Sequence, residues 1–299
     1  MIAVCGEALM DVVLDGTRTA HPGGGPFNTA RTLARLGVPA AFVGRLSSDA
    51  FGVELQKYLT SDGVDLSMAS IGPEPTTVAF AEIDEAGIAS YDFQVAGTSA
   101  PNLTAEMLPE RLPVDVRALH VGSLGLLLEP MATTIAGLVE KESAGRLVMV
   151  DPNIRPPMIH DTNAYRSRLR AVMARSTVVK AAESDIAWLD PEASLDDFAS
   201  AALRDTGARL VVVTLGAAGA FGATERARLH VSAPRVQVVD TIGAGDAFGA
   251  ALLAWLHDRS LLVKDLSLNA MELEAALTFA CLVASMTCAR AGTRHAGRN

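Results

Sequence analysis

Val238-Val-Asp-Thr-Ile-Gly-Ala-Gly-Asp-Ala-Phe-Gly249 is the most informative stretch of the chain. The β-branched residues Val236, Val238 and Val239 predict the end of a strand. The chain then breaks at Asp240-Thr241, crosses Gly243-Ala244-Gly245 and enters an apolar helix from about Asp246 to Leu256. Glycines at such a junction let the backbone approach a ligand closely. They also leave N–H groups at a helix N-terminus pointing outward, where the helix dipole favours negative charge. That suits a phosphate, or the transition state of a transferring phosphoryl group. Asp246, at the lip, would repel phosphate and fits better as a base that takes a proton from an attacking hydroxyl. A bare Gly-x-Gly-Asp before a helix also occurs as a tight turn with the Asp as cap. The longer string is more specific, and the rest of the chain tests it.

Composition sets the bounds. The chain has 299 residues, 49% of them hydrophobic, enough for a large α/β core. A net charge of −9 argues against nucleic acid or an anionic membrane surface as partner. Ile2-Ala-Val-Cys5 reads as a first strand, not a signal peptide, and no uninterrupted apolar run predicts a membrane span. Cys5, Cys281 and Cys288 have no metal-like spacing, which predicts reduced thiols and a cytoplasmic protein.

After the first strand and Gly6-Glu7 comes a short apolar run, Ala8 to Leu14, interrupted by Asp11. Taken alone, Asp11 reads as a polar residue on the open face of an edge strand. His21-Pro-Gly-Gly-Gly-Pro-Phe-Asn-Thr-Ala30 then leads into an amphipathic helix. Asn28 offers a donor and an acceptor, which fits a sugar hydroxyl and equally a helix cap. Asp49 is expected to cap a helix from Ala50 to Ser61. Alternation over Thr77 to Asp84 and Ala89 to Phe93, with a turn at Glu85-Ala86-Gly87, predicts a hairpin that must cover something. From Ala118 the pattern becomes repeated βα. Strands are predicted at Ala118–Val121, Leu147–Val150, Thr177–Val179 and Leu210–Leu215, with helices between them and a last one at Met271–Ala289. Near-continuous apolar strands alternating with helices imply a parallel sheet covered on both faces, with ligands outside the strands' carboxyl ends. No Walker A string or Gly-x-Gly-x-x-Gly is present.

Asp-Thr-x-Gly-Ala-Gly-Asp-Ala-Phe and Gly24-Gly25-Pro26-Phe27-Asn28 resemble the two signatures of the PfkB (ribokinase-like) carbohydrate kinases, and supporting motifs follow in order along essentially the whole chain. The resemblance implies one ribokinase-like domain over residues 1–299: a three-layer α/β/α sandwich with a mostly parallel central sheet and a small β-sheet lid from about 8–20 and 76–94. It implies ATP and Mg2+ as cofactors, K+ in members that use it, and a homodimer through the lid. By match, Asp246 is the catalytic base, with Gly243, Ala244 and Gly245 as anion hole. Asp11, Gly24, Gly25 and Asn28 hold the sugar, joined by Arg155, for which a structural ion pair is the competing role. Thr214, Gly216 and Gly219 lie along ATP. Lys180 reaches its phosphates or is a solvated lysine. Asp240 and Ile242 bind the monovalent cation.

The family's Asn-x-x-Glu magnesium element is altered in Lys180-Ala-Ala-Glu-Ser-Asp185: Ala182 replaces the amide, and Asp185 or Glu183 must serve in place of the Glu. Thr76 to Asp84, Gly97-Thr-Ser-Ala, His120 to Leu124 and Asp151-Pro-Asn-Ile-Arg resemble bacterial fructokinases most, with Gln94 at a lid position where a Tyr is common. The expected activity is therefore ATP-dependent phosphorylation of fructose. The rivals are a kinase of 2-keto-3-deoxygluconate or another sugar acid, and a non-catalytic sugar-binding relative.

Overall fold

The computed structural model describes residues 1–14, 18–83 and 89–290. In chain order its first strands are β1 (Ile2–Cys5), β2 (Leu9–Leu14), β3 (Arg18–Gly23), β4 (Ala40–Val43), β5 (Arg45–Ser47), β6 (Ser70–Gly72), β7 (Val78–Ile83) and β8 (Ala89–Gln94). The later ones are β9 (Ala118–Gly122), β10 (Leu147–Asp151), β11 (Val178–Ala182), β12 (Leu210–Thr214), β13 (Ala220–Ala223) and β14 (Arg228–Val231). The helices are α1 (Gly25–Arg35), α2 (Ala50–Ser61), α3 (Met131–Glu142), α4 (Thr162–Met173), α5 (Glu183–Leu189), α6 (Leu195–Asp205), α7 (Ala244–Asp258) and α8 (Ala270–Cys288).

Eight strands form one sheet in the order β14-β13-β12-β11-β10-β9-β1-β4. Its strands from β12 to β4 run parallel, and β13 and β14 are antiparallel additions at one edge. The period of two along each strand divides the core. Ile2 and Val4 of β1 face one apolar cluster, with Phe27, Leu33, Leu55, Leu253 and Leu277. Ala3 and Cys5 face another, with Ile135, Val139, Leu169 and Ala202. Helices α1, α2, α7 and α8 thus cover one face, and α3, α4 and α6 the other, giving the three-layer α/β/α architecture of the ribokinase-like fold. Each fully buried Leu or Ile contributes about 1.5–3 kcal/mol.

A second sheet has the order β3-β2-β7-β8. The β7–β8 hairpin pairs Val78 with Gln94 through Ile83 with Ala89; its predicted turn lies outside the described residues. Asp11 is not on an edge strand, because β2 is flanked by β3 (Asp11 opposite His21) and β7 (Asp11 beside Ala79). Pro22 is tolerated in β3 because that strand is the edge.

Two sequence expectations need correction. Val236, Val238 and Val239 are not in a strand; they are exposed, and the amides of Val239 and Asp240 donate to the carbonyl of Cys288. Their β-branched composition finds no apolar face to pack on, and packing decides strand formation more than propensity does. Lys180, read as following its strand, is inside β11. By length and composition α8 would also pass for a membrane span, although Glu272 and Glu274 interrupt its apolar run. Here it is a core helix: Leu273 and Leu277 press on β13 so closely that a Cβ at Gly222 would come 2.6 Å from Leu277 Cδ1. The helix α2 has the predicted bounds, with the Asp49 carboxylate accepting from the Gly52 amide at 2.7 Å.

Candidate active site

The carboxyl ends of β1, β9, β10, β11 and β12 open into a cavity of about 960 Å3, which the second sheet and the N-termini of α1 and α7 also border. Gly243 caps α7 in the left-handed region, φ 76°, a conformation that glycine adopts without strain. The first amides of the helix, those of Gly245 and Asp246 among them, have no carbonyl ahead of them within it. Gly243, Gly245, Ile242 and Asp246 line the cavity. Ala244, inside the same turn, donates its amide to the Thr241 carbonyl at 3.2 Å.

Asp246 is 9% exposed. Its Oδ2 accepts from Asn28 Nδ2 at 2.9 Å. Burial pushes its pKa up to about 6; the Asn28 hydrogen bond opposes this, the charge of Asp151 adds to it, and Lys180 and Arg155 oppose it. A carboxylate tuned toward neutrality is suited to receive a proton. The other buried polar atom of Asn28, Oδ1, has no hydrogen-bond partner among the described residues. A buried amide oxygen without a donor is an acceptor prepared for a ligand hydroxyl.

Asp11 lines the same cavity, and burial with the nearby Asp246 charge raises its pKa to about 6. Its approach to β3 is possible only because residue 23 is glycine: a Cβ there would fall 2.0 Å from Asp11 Oδ2. Gly24 and Gly25 line the cavity at the start of α1, and Gly24 has φ 106°. Arg155 borders it too. Its Nη1 donates to Asn153 Oδ1 at 2.7 Å, and no salt bridge to Arg155 is found among the described residues.

Lys180 is not solvated. It is 3% exposed, and its Nζ donates to Asp151 Oδ2 at 2.6 Å. That pairing lets a lysine continue a buried strand. Lys180 lines the cavity beside the glycine turn, with Nζ 3.3 Å from where a Cβ on Gly245 would be. Thr214 reaches the cavity from the end of β12. Gly216 and Gly219 lie in the turn beyond it and are not among the lining residues. Gly219 has φ 106° and comes so close to β14 that a Cβ would be 1.9 Å from the Val231 carbonyl oxygen, so the backbone by itself requires this glycine.

Asp185 lines the cavity, but its two oxygens already accept from the amides of Ile154 and Ala182, each at 2.8 Å. Glu183 is exposed and does not line the cavity. Asp240 Oδ1 accepts from the Ile242 amide at 2.9 Å, closing a local turn. Gln94 is exposed and away from the lining, to which its neighbours Phe93 and Val95 contribute.

Among the lining residues given no role from the sequence, two stand out chemically. Glu7 and Asp151 are acids at the carboxyl ends of buried parallel strands, which is the signal that would have found them. The lining holds six carboxylates (Glu7, Asp11, Asp92, Asp151, Asp185, Asp246) against the cations Lys180 and Arg155. A polyphosphate entering here must bring its own counter-charge. Asp151 Oδ1, buried and without a partner among the described residues, is a hard oxygen donor suited to a hydrated divalent cation. No cluster of three metal-ligating side chains exists among the described residues, so such an ion would be held mainly by phosphate and water.

Residues 1–298 match the model of the pfkB family of carbohydrate kinases. The chain belongs to that family. As a carbohydrate kinase it is similar to a fructokinase of Rhizobium leguminosarum bv. trifolii, 39% identical over 246 residues, covering 80% of this chain and 74% of the relative. A fructokinase of Klebsiella pneumoniae is 33% identical over 249 residues, covering 80% of this chain and 78% of the relative. Among solved structures, a fructokinase of Xylella fastidiosa with bound ATP superposes with a TM-score of 0.89 at 26% identity, covering 98% of this kinase and 93% of the other. A fructokinase of Vibrio cholerae O395 in a form with fructose, ADP and calcium ion gives 0.84 at 27%, covering 98% and 94%.

Proposed function

We propose that this carbohydrate kinase is an ATP-dependent fructokinase, with Asp246 as catalytic base. The observation that carries the reading is Asp246 at the N-terminus of α7, buried and held by Asn28, in one cavity with Asp11 and Arg155 and with the Gly243–Gly245 turn. Fructokinases among its relatives supply the sugar.

In this reading Asp11, Gly24, Gly25, Asn28 and Arg155 hold fructose, and ATP extends past Thr214, with Gly216 and Gly219 shaping the turn beside it. Asp246 takes the proton of the primary hydroxyl. The freed oxygen forms a bond to the γ-phosphorus as the bond to the ADP oxygen breaks, in line. Of the Gly243–Ala244–Gly245 anion hole, the Ala244 amide is held by the Thr241 carbonyl, so the amides of Gly245 and, next along the helix, Asp246 receive the charge that spreads over the equatorial oxygens, and Lys180 adds a positive potential beside them. When bound, Mg2+ would neutralise the β- and γ-phosphate charge; Asp151 and Asp185 would hold its water shell, with Glu183 exposed outside the cavity lining. Asp240 and the Ile242 backbone are the proposed monovalent cation site. The residues 1–299 form one kinase domain in this reading. The second sheet is its lid, which excludes water and so suppresses ATP hydrolysis, and the lid is the contact of a homodimer.

The test is ADP release with MgATP against fructose, ribose, 2-keto-3-deoxygluconate and adenosine. The highest kcat/KM on fructose is expected. A preference for 2-keto-3-deoxygluconate would assign Arg155 to a carboxylate and a sugar acid as substrate. ATP binding without turnover on any of the four would point to a sugar outside the panel or to a binding role.

A further inference from the structure

Helix α1 has no cap of its own. Gly24 stands at the cap position without a side chain, and no acid is present in the first turn. Its leading amide, that of Gly25, is taken instead by Glu7, eighteen residues earlier at the end of β1, whose Oε1 accepts at 3.2 Å. The second oxygen, Oε2, accepts from the Gly125 amide at 3.0 Å, in the turn that follows β9. The three backbones meet closely around this carboxylate. A Cβ on Gly24 would be 2.8 Å from the Glu7 carbonyl oxygen, and one on Gly125 would be 3.1 Å from Gly6 Cα. Glu7 is 1% exposed. One turn along the same helix, Asn28 holds Asp246.

We propose that Glu7 is a positioning residue for phosphoryl transfer, capping α1 from outside the helix and tying its first turn to the turn after β9, so that Asn28 meets Asp246 in register. The inference rests on the reading of Asp246 as base. Burial and the Asp246 charge push the pKa of Glu7 up to about 7, opposed by the hydrogen bonds from Ser123 and Gly25, so a charge here is unfavourable for the empty protein. A glutamine of the same shape would avoid that cost. It cannot satisfy both amides, because one of its two atoms is a donor facing an N–H. The carboxylate alone offers two acceptors, and a negative group at a helix N-terminus is favoured by the dipole.

The experiment is a double-mutant cycle on kcat/KM for the sugar, with Glu7→Gln, Asn28→Ala and the pair, at saturating MgATP. Each single variant is expected to lose about tenfold or more, since small misplacements of a reacting group carry costs of that order. The KM for MgATP should stay within about twofold in Glu7→Gln, because the change is felt through the Asn28 side of the site. The pair should be no worse than the worse single variant. Losses that multiply, or Glu7→Gln with unchanged sugar kinetics and only a lower Tm, overturn the proposal. Should Glu7→Gln fail to fold, amide exchange in the unmutated protein decides. Protection at both Gly25 and Gly125 supports the tie, and exposure of either amide overturns it. Near-normal turnover by Asp246→Asn would remove the base assignment while leaving the Glu7–Asn28 coupling readable in the sugar KM.

Discussion

Asn28 Nδ2 donates to Asp246 Oδ2 at 2.9 Å, joining residues 218 positions apart. The bond brings the first turns of α1 and α7 to one point of the cavity. It also fixes the Asn28 amide so that its remaining acceptor, Oδ1, is buried and unpartnered among the described residues. A hydroxyl donating to Asn28 Oδ1 would therefore lie beside the carboxylate assigned to take its proton.

Asp246→Asn keeps the shape of the site and removes the proposed base. Turnover should fall by roughly 10²–10⁴-fold, while calorimetry should still detect binding of MgATP. Turnover within a few-fold of the unmutated enzyme would end the assignment.

The same variant should be more stable without ligands. Asp246 has a folded-state pKa of about 6 against 3.8 for the ordinary group. A raised carboxyl pKa means that the folded state binds the proton more tightly, so its charged form weakens folding above about pH 6. Asp246→Asn should therefore gain on the order of 3 kcal/mol at pH 8. The gain should shrink as pH falls and vanish below about pH 4, where the carboxyl is protonated in both states. Thermal unfolding of the empty protein at pH 8, 6 and 4 checks the trend; a pH-independent difference would contradict it.

Asn28→Ala should move the acid limb of the kcat/KM profile upward in pH. The Asn28 hydrogen bond is the largest influence lowering the Asp246 pKa. Without it, burial and the charge of Asp151 act with less opposition, so more alkaline conditions are needed to keep the base ionised. A limb that stays in place would show that another group controls it.

Lys180→Met would leave Asp151 as a buried carboxylate, with one oxygen already unpartnered among the described residues and the other newly so. Breaking a buried pair from one side costs about 3–5 kcal/mol. Denaturant unfolding should show this loss, and should show much of it recovered in Lys180→Met/Asp151→Leu. Equal stability of single and double variants would contradict a coupled pair.

Gly23→Ala tests how Asp11 is placed. The added methyl would lie 2.0 Å from Asp11 Oδ2, so the carboxylate must move. The expected result is a sugar KM raised about tenfold or more with the KM for MgATP unchanged. Unaltered sugar kinetics would remove Asp11 from the sugar site.

The local signals in the chain were those that a helix N-terminus imposes. Gly243-Ala-Gly-Asp246 and Gly24-Gly-Pro-Phe-Asn28 each show, within a few residues, a glycine turn feeding a helix that carries a polar side chain one turn in or less. That is why Asp246 and Asn28 were readable. Lys180 was readable as a residue but not as a buried one: its partner Asp151 is on the neighbouring strand, 29 positions away. Val236 to Val239 misled because β propensity is expressed only against a packed face.

The sequence by itself determined the repeated βα pattern, hence a parallel sheet with helices on both faces, and the two glycine turns that mark where its ligands meet. It could do so because periodicity and turn chemistry are local properties of the chain. Only the tertiary structure decided that Glu7 caps a helix it does not belong to, that Lys180 is buried on Asp151, that both Asp185 oxygens accept from backbone amides, and that Glu183 is exposed outside the cavity lining. Those outcomes depend on strand order and register, which bring together residues that no local pattern connects.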